Sequence, residues 1–228
     1  MSRVLPQSGL ESDGVSAADV VRVEAPERGS VPLWIKRGIQ VGFGLFVLRR
    51  LVGYWAFRRC LGRRAFLAAS ESIARVPGLR GVYLRQAFYR RTLEKCGQDV
   101  HFGWSSVFSM PEARVGDRVY IGRFCSIGYA ELGAEVMLAD GVQILSGGHE
   151  HQAGAGAGSR QRQPQTYRRV RIGAGAWIGA GAIVMADVAD GALVGAGAVV
   201  TRPIPPDQIA AGVPARILSP GGATSTPS

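Results

Sequence analysis

The sequence predicts a mainly β protein, a triangular coil of short parallel strands with an α-helical region ahead of it. Branched aliphatics recur every six residues, at Val115, Ile121 and Ile127, then Leu132, Leu138 and Ile144, then Ile172, Ile178 and Val184. Many are followed at once by glycine, as at Gly116, Gly122, Gly128, Gly173 and Gly179. A period of six suits neither an amphipathic helix nor an alternating hairpin. It suits a chain that makes three strands per turn and points one aliphatic inward from each side. Stacked coils then bury a column of side chains that no single coil could bury. Glycine beside each inward residue is expected to supply the positive-φ backbone of the corners. Two steps break the period. Ile127 to Leu132 is five residues, and Val184 to Val194 is ten where two hexads need twelve, so one corner there is cut short or bulged.

In chain order, residues 1–30 hold Glu11, Asp13, Asp19, Glu24 and Glu27 without a continuous apolar core. This does not read as a signal peptide, and the segment is expected to be a disordered lead-in. Residues 31–98 form a basic, apolar, helical region. Between Leu33 and Lys95 fourteen Lys/Arg face two acids, Glu71 and Glu94, which is more than the net charge of +10 of the whole chain. The uncharged run 38–48 is eleven residues, against about twenty needed to span a bilayer. Extending it would place Arg49 and Arg50 in mid-membrane, so it does not span. Its aromatics and flanking arginines fit contact with an anionic membrane surface. They also fit a helix packed over the open end of the coil with arginines reaching water, or an oligomer contact. These readings stay open. The paired arginines lie among bulky aliphatics and no nucleic-acid module is present, so nucleic acid is not an expected partner.

After Pro77-Gly78 a further helix is predicted, with Leu79, Val82, Tyr83, Ala87 and Leu93 as its apolar stripe. Arg80, Arg85, Arg90, Arg91 and Lys95 lie off the stripe, and Gly97 stops the helix. The coil domain spans 99–218 and residues 219–228 form a disordered tail. The coil is interrupted by residues 147–169, whose Gly/Ala/Gln/Arg composition lacks inward aliphatics. That is an excursion, and excursions from rigid repeats commonly form binding loops. His149 and His151, two of three histidines, open it. Cys60, Cys96 and Cys125 have no metal-ligand spacing and read as reduced thiols of a cytoplasmic protein.

The segments WIGAGAIV and GALVGAGAVVTRPIPPDQIAAGVPARI closely resemble the C-terminal coils of the hexapeptide-repeat acyltransferases. Within that family the chain looks most like sugar and polysaccharide O-acetyltransferases, over roughly residues 100–218. The resemblance implies a left-handed parallel β-helix, usually a homotrimer, that moves an acetyl group from acetyl-CoA to a carbohydrate acceptor. The acceptor would be lipid-linked or destined for an exopolysaccharide. Acyl transfer needs a base for the acceptor proton, and imidazole is mostly neutral near pH 7. LADGVQILSGGH matches the family segment that ends in the catalytic histidine, which falls on His149; His151 is the alternative. The resemblance carries cofactor contacts onto Trp177, Ala180, Ala196, Thr201, Arg202 and Arg216. Trp177 would flank the thioester, Ala180 and Ala196 would face the pantetheine arm, and Thr201, Arg202 and Arg216 would meet phosphates. The acceptor residues do not transfer, and Cys125, Ser126 and Tyr129 are the candidates for lining that site. Two rival classes are a membrane-attached scaffold without catalysis and a zinc enzyme resembling β-helical carbonic anhydrases. His101 lies 48 residues before His149, at the opposite end of the first array, so a three-histidine zinc site and a metal are not expected.

Overall fold

The computed structural model describes residues 52, 54–56, 62–146 and 167–218. Two helices, α1 (Arg63–Ala74) and α2 (Gly78–Thr92), lead into a parallel β-helix. Its first coil is β1 (Lys95–Cys96), β2 (His101–Phe102) and β3 (Val107–Phe108). The second is β4 (Arg114–Val115), β5 (Tyr120–Ile121) and β6 (Ser126–Ile127). The third is β7 (Ala130–Leu132), β8 (Met137–Leu138) and β9 (Gln143–Ile144). After the excursion come β10 (Val170–Ile172), β11 (Trp177–Ile178) and β12 (Ile183–Val184), then β13 (Leu193–Val194) and β14 (Val199–Val200). The last coil holds β15 (Ile209–Ala211), on which β16 (Arg216–Leu218) folds back antiparallel.

Strands stack one coil above the next, so the prism has three sides. The first sheet is β1-β4-β7-β10, the second runs from β2 through β5, β8, β11 and β13 to β15, and the third is β3-β6-β9-β12-β14. Ile121, Ile127, Leu138, Ile178, Val184 and Val200 are fully buried in the axial column. Burying each such side chain contributes about 1.5–3 kcal/mol, which is why two-residue strands suffice.

The two irregular steps have one origin. Inward residues are six apart across two edges of the prism, as in Val115, Ile121, Ile127 and in Ile172, Ile178, Val184. All variation falls on the third edge, where the chain passes from the third sheet back to the first. There the step is seven residues (Phe108 to Val115), five (Ile127 to Leu132), or four (Val184 to Val188, and Val200 to Ile204). The excursion leaves from the same edge. Val188 keeps its place beneath the column through parallel bridges to Ile172 and Ile204. The ten-residue gap is therefore a four-residue corner followed by a normal six.

The glycines do a different job from the expected one. Those after inward aliphatics do not carry the positive φ. They let neighbouring coils touch: a β-carbon on Gly116 would lie 2.7 Å from the backbone nitrogen of Ala134, and one on Gly133 would lie 2.6 Å from that of Ala174. The left-handed corner residue comes two positions later, at Gly175, Gly181, Gly191 and Gly197, and earlier in the chain at Arg118, Phe124 and Glu135.

The helices close the N-terminal mouth of the prism. Phe66 of α1 and Phe88 and Tyr89 of α2 are buried against Phe102 and Phe108, with Tyr89 4.8 Å from Phe102 and 4.9 Å from Phe108, ring centre to ring centre. Ser70 Oγ shares a hydrogen bond of 2.7 Å with the Tyr89 hydroxyl and accepts one from Phe108 N at 3.1 Å. Burial pushes the Tyr89 phenol up to about 12. The predicted stripe of α2 was rotated: Leu79 is 76% exposed, while Leu84, Arg85, Phe88 and Tyr89 face inward. Arg85 is buried because its guanidinium gathers carbonyls where α1 ends, of which Ile73 O and Ala74 O also accept from Val76 N and Ser105 N. It donates to Val76 O at 2.9 Å, to Ile73 O and Ala74 O at 3.5 Å, and through Nε to Phe102 O at 3.0 Å. The helix also ends before Gly97: Leu93 is already extended, and β1 follows directly. The apolar run 38–48 lies outside the described residues. Among those described, Tyr54 packs on Phe66 and Phe88, Trp55 is exposed, and no helix is long and apolar enough to cross a membrane.

Candidate functional site

The outward residues of the three sheets differ in kind. On the first sheet they are charged, with Arg114 opposite Glu131. On the second they form a ladder of large side chains along the prism: His101, Tyr120, Met137, Trp177, Leu193 and Ile209, each paired with the next. Tyr120, Met137, Trp177 and Ile209 are each about half exposed, so Trp177 presents its ring outward and is not packing the core.

Ala180 and Ala196 occupy the same corner on consecutive coils, at the edge between the second and third sheets. Gly197 N donates to Ala180 O at 2.8 Å, and a β-carbon on Gly179 would lie 2.5 Å from Ala196 N. Both alanines are exposed, three residues along the coil from Trp177 in the case of Ala180. The turn between β15 and β16 extends this edge: Val199 N donates to Gly212 O at 3.0 Å and Ala215 N donates to Val199 O at 2.8 Å. Arg216, opposite Ala211 in the β15–β16 pair, is exposed beside it. The structure thus brings Trp177, Ala180, Ala196 and Arg216 to one side of the prism. Thr201 and Arg202 are exposed at the far end of β14, on the irregular edge, and are not brought onto the alanine edge of the same chain.

His149 and His151 lie outside the described residues, but both feet of the excursion are described, and both rest on Tyr129. Ser146 Oγ accepts from Tyr129 N at 2.9 Å, and Val170 N donates to Tyr129 O at 3.0 Å. The Arg169 guanidinium lies over the Tyr129 ring, 4.5 Å from its centre. Arg169 also pairs with Glu94 at 2.7 Å and donates to Glu112 O at 3.1 Å. Arg114 shares Glu94 at 2.5 Å and holds its carboxyl below the usual range. Arg168 pairs with Asp187, and the Arg63 guanidinium lies 5.2 Å from the Tyr167 ring centre. The five-residue step at Tyr129 is where the loop is moored. Sequence reasoning missed Arg169 and Glu94, which are 75 residues apart with no local pattern to link them.

The remaining candidates separate cleanly. Cys125 does not line a surface site: it is buried inside the prism, and burial raises its thiol. Ser126 is exposed on the third sheet, and Tyr129 is half-buried under Arg169. His101 stacks on Tyr120 at 4.9 Å, nearly parallel, and burial holds its imidazole below the usual value.

No protein-family model matches the chain, and no curated protein does. Solved structures do. A maltose O-acetyltransferase from Clostridium difficile 630 is 24% identical, with a TM-score of 0.60, over 68% of this chain and 86% of that one. A galactoside acetyltransferase in complex with coenzyme A is 22% identical, with a TM-score of 0.59, over 70% and 82%. A hexapeptide-repeat-containing acetyltransferase from Vibrio cholerae, complexed with acetyl coenzyme A, is 21% identical, with a TM-score of 0.57, over 69% and 86%. The chain therefore has the hexapeptide-repeat β-helix fold of these acetyltransferases.

Proposed function

We propose that this protein is an acetyl-CoA-dependent O-acetyltransferase acting on a carbohydrate. The observation that carries the reading is the register that stacks Ala180 and Ala196 at one edge, with Trp177 on the adjoining face of the second sheet and Arg216 beside them. Two small side chains stacked on an exposed edge leave backbone groups open to the amides of a pantetheine arm, while Trp177 offers an apolar wall. Arg216 supplies a cation for phosphate. From Ala196 across β14 to Thr201 is about 16 Å at ~3.3 Å per residue, a span that an extended arm with its nucleotide crosses to reach Thr201 and Arg202. His149 stands three residues after Ser146, at the foot of the moored excursion, and is the proposed base. It takes the hydroxyl proton as the acceptor oxygen bonds to the acetyl carbon. The carbon–sulfur bond then breaks, and the proton passes to the departing thiolate. The fold is shared with a maltose and a galactoside acetyltransferase, which supports a sugar acceptor; exopolysaccharide or lipid-linked sugar is the proposed setting.

The half-exposed ladder of the second sheet is the proposed interface of a homotrimer, because a lone prism leaves that apolar strip in water. The cytoplasm is the proposed compartment, with peripheral contact to anionic membrane through the basic N-terminal third. The edge is tested by Ala196→Trp, which fills it with a bulky side chain. Calorimetric titration of the full chain is expected to show a Kd for CoA at least about a hundredfold weaker, with unchanged melting. Wild type should sediment at three chain masses. Equal CoA affinity in both proteins would show that the cofactor lies elsewhere.

A further inference from the structure

We propose that Trp104 and Phe124 form a stacking platform for the carbohydrate acceptor, an inference that rests on the acetyltransferase reading above. The two residues belong to the same prism edge as Ala180 and Ala196, toward its N-terminal end. Trp104, Arg123, Asp140, Ala180 and Ala196 each stand two residues past an inward side chain: Phe102, Ile121, Leu138, Ile178 and Val194. Along one line, then, small residues give way to an ion pair and then to aromatics. Phe124 is 54% exposed and Trp104 40%, and their rings meet edge to face at 5.1 Å.

Phe124 carries the strongest signal. Its φ is +58°; Ser105 holds the equivalent corner of the first coil at +61°, and later coils hold Gly141, Gly181 and Gly197. A left-handed conformation costs a residue with a side chain about 1–2 kcal/mol, and burial does not offset it here because the ring points into water. Arg118 and Glu135 take the same conformation at exposed corners, so the signal at Phe124 is the strain together with a large, half-exposed ring set against Trp104. Trp104 is held ready: its Nε1 donates to Arg75 O at 3.3 Å, which fixes the ring edge and leaves a face open. Beside the rings, Arg123 Nε donates to Asp140 Oδ2 at 3.1 Å, and both side chains are exposed. A pyranose has an apolar face of C–H groups and a rim of hydroxyls. An electron-rich ring face next to a guanidinium and a carboxylate matches both. The carboxylate tells against an anionic bilayer as occupant.

The test uses the full-length chain with Phe124→Gly and Trp104→Ala, and maltose and methyl β-galactoside as probes. Phe124→Gly relieves the strained corner, so its melting temperature should stay level or rise, which separates recognition from folding. With acetyl-CoA saturating, KM for the sugar should rise about tenfold, the loss expected of one stacking contact. The KM for acetyl-CoA and the sedimentation should not change. Saturation-transfer NMR reads sugar contact directly and should weaken in both variants. Equal sugar contact in wild type and Phe124→Gly, including none in either, overturns the platform. So does a variant that alters assembly while leaving sugar contact unchanged, since the rings would then face a second copy. Wild type that fails to bind CoA removes the acetyltransferase reading itself; CoA binding with unchanged sugar contact removes the platform alone.

Discussion

His149→Ala is expected to lower the rate of acetyl transfer about 10²- to 10⁴-fold, the usual share of a general base. The Kd for CoA should barely move, because Trp177, Ala180, Ala196 and Arg216 lie on later coils, past the excursion. His151→Ala should cost much less. Steady-state kinetics of the two variants with calorimetric titration of CoA checks this. A His149→Ala enzyme within about threefold of wild type, beside an inactive His151→Ala, would move the role to His151. Loss of activity in both variants, restored by zinc and removed by chelators in the wild type, would indicate metal chemistry instead.

The largest expected effect on stability is at Arg85. Arg85→Met keeps most of the side-chain volume but leaves the carbonyls of Val76 and Phe102 without their donor, while those of Ile73 and Ala74 keep the backbone N–H groups of Val76 and Ser105. Buried acceptors without partners are costly, and the loss should be about 3 kcal/mol. For a chain of 228 residues that corresponds to a fall in melting temperature of about 6–12 °C. Arg90→Met, on the exposed side of the same helix, should change stability by no more than about 0.5 kcal/mol. Thermal denaturation of the two variants side by side makes the comparison, and equal melting would mean that the cap does not depend on the buried guanidinium.

The prism was legible in the sequence because its interior is periodic. Each of Val115, Ile121 and Ile127 must point into the axial core from its own side of the prism, so the spacing survives any composition between them. The corners were less legible. Gly173 and Gly175 look alike in a sequence, yet the first makes room for the next coil and the second carries the left-handed turn. Phe124 holds the same left-handed place without being glycine, so no composition rule marks it. The face of α2 departs from the sequence pattern because Arg85, which lies off the apolar stripe, is buried. Only the end of α1, brought in by tertiary folding, makes a buried arginine tolerable there.

The candidate site divides along the same line. Trp177, Ala180 and Ala196 sit in the regular array, onto which the family resemblance could be carried residue by residue. Glu94, Tyr129 and Arg169 come from different coils and meet on the one edge whose step length varies. No periodicity reaches across that edge. The regular edges hold the fold, and the irregular one carries the excursion with its histidines.

The most direct test of the central claim follows the acetyl group. The purified full-length chain is incubated with acetyl-CoA labelled in the acetyl carbons and a panel of mono- and oligosaccharides that includes maltose and a galactoside. Products are then read by mass spectrometry. The predicted result is label in an alkali-labile ester on a carbohydrate, with one free CoA thiol released per ester and none of either with His149→Ala. Label that stays in acetyl-CoA across the panel, or that leaves only as free acetate, would contradict a carbohydrate O-acetyltransferase.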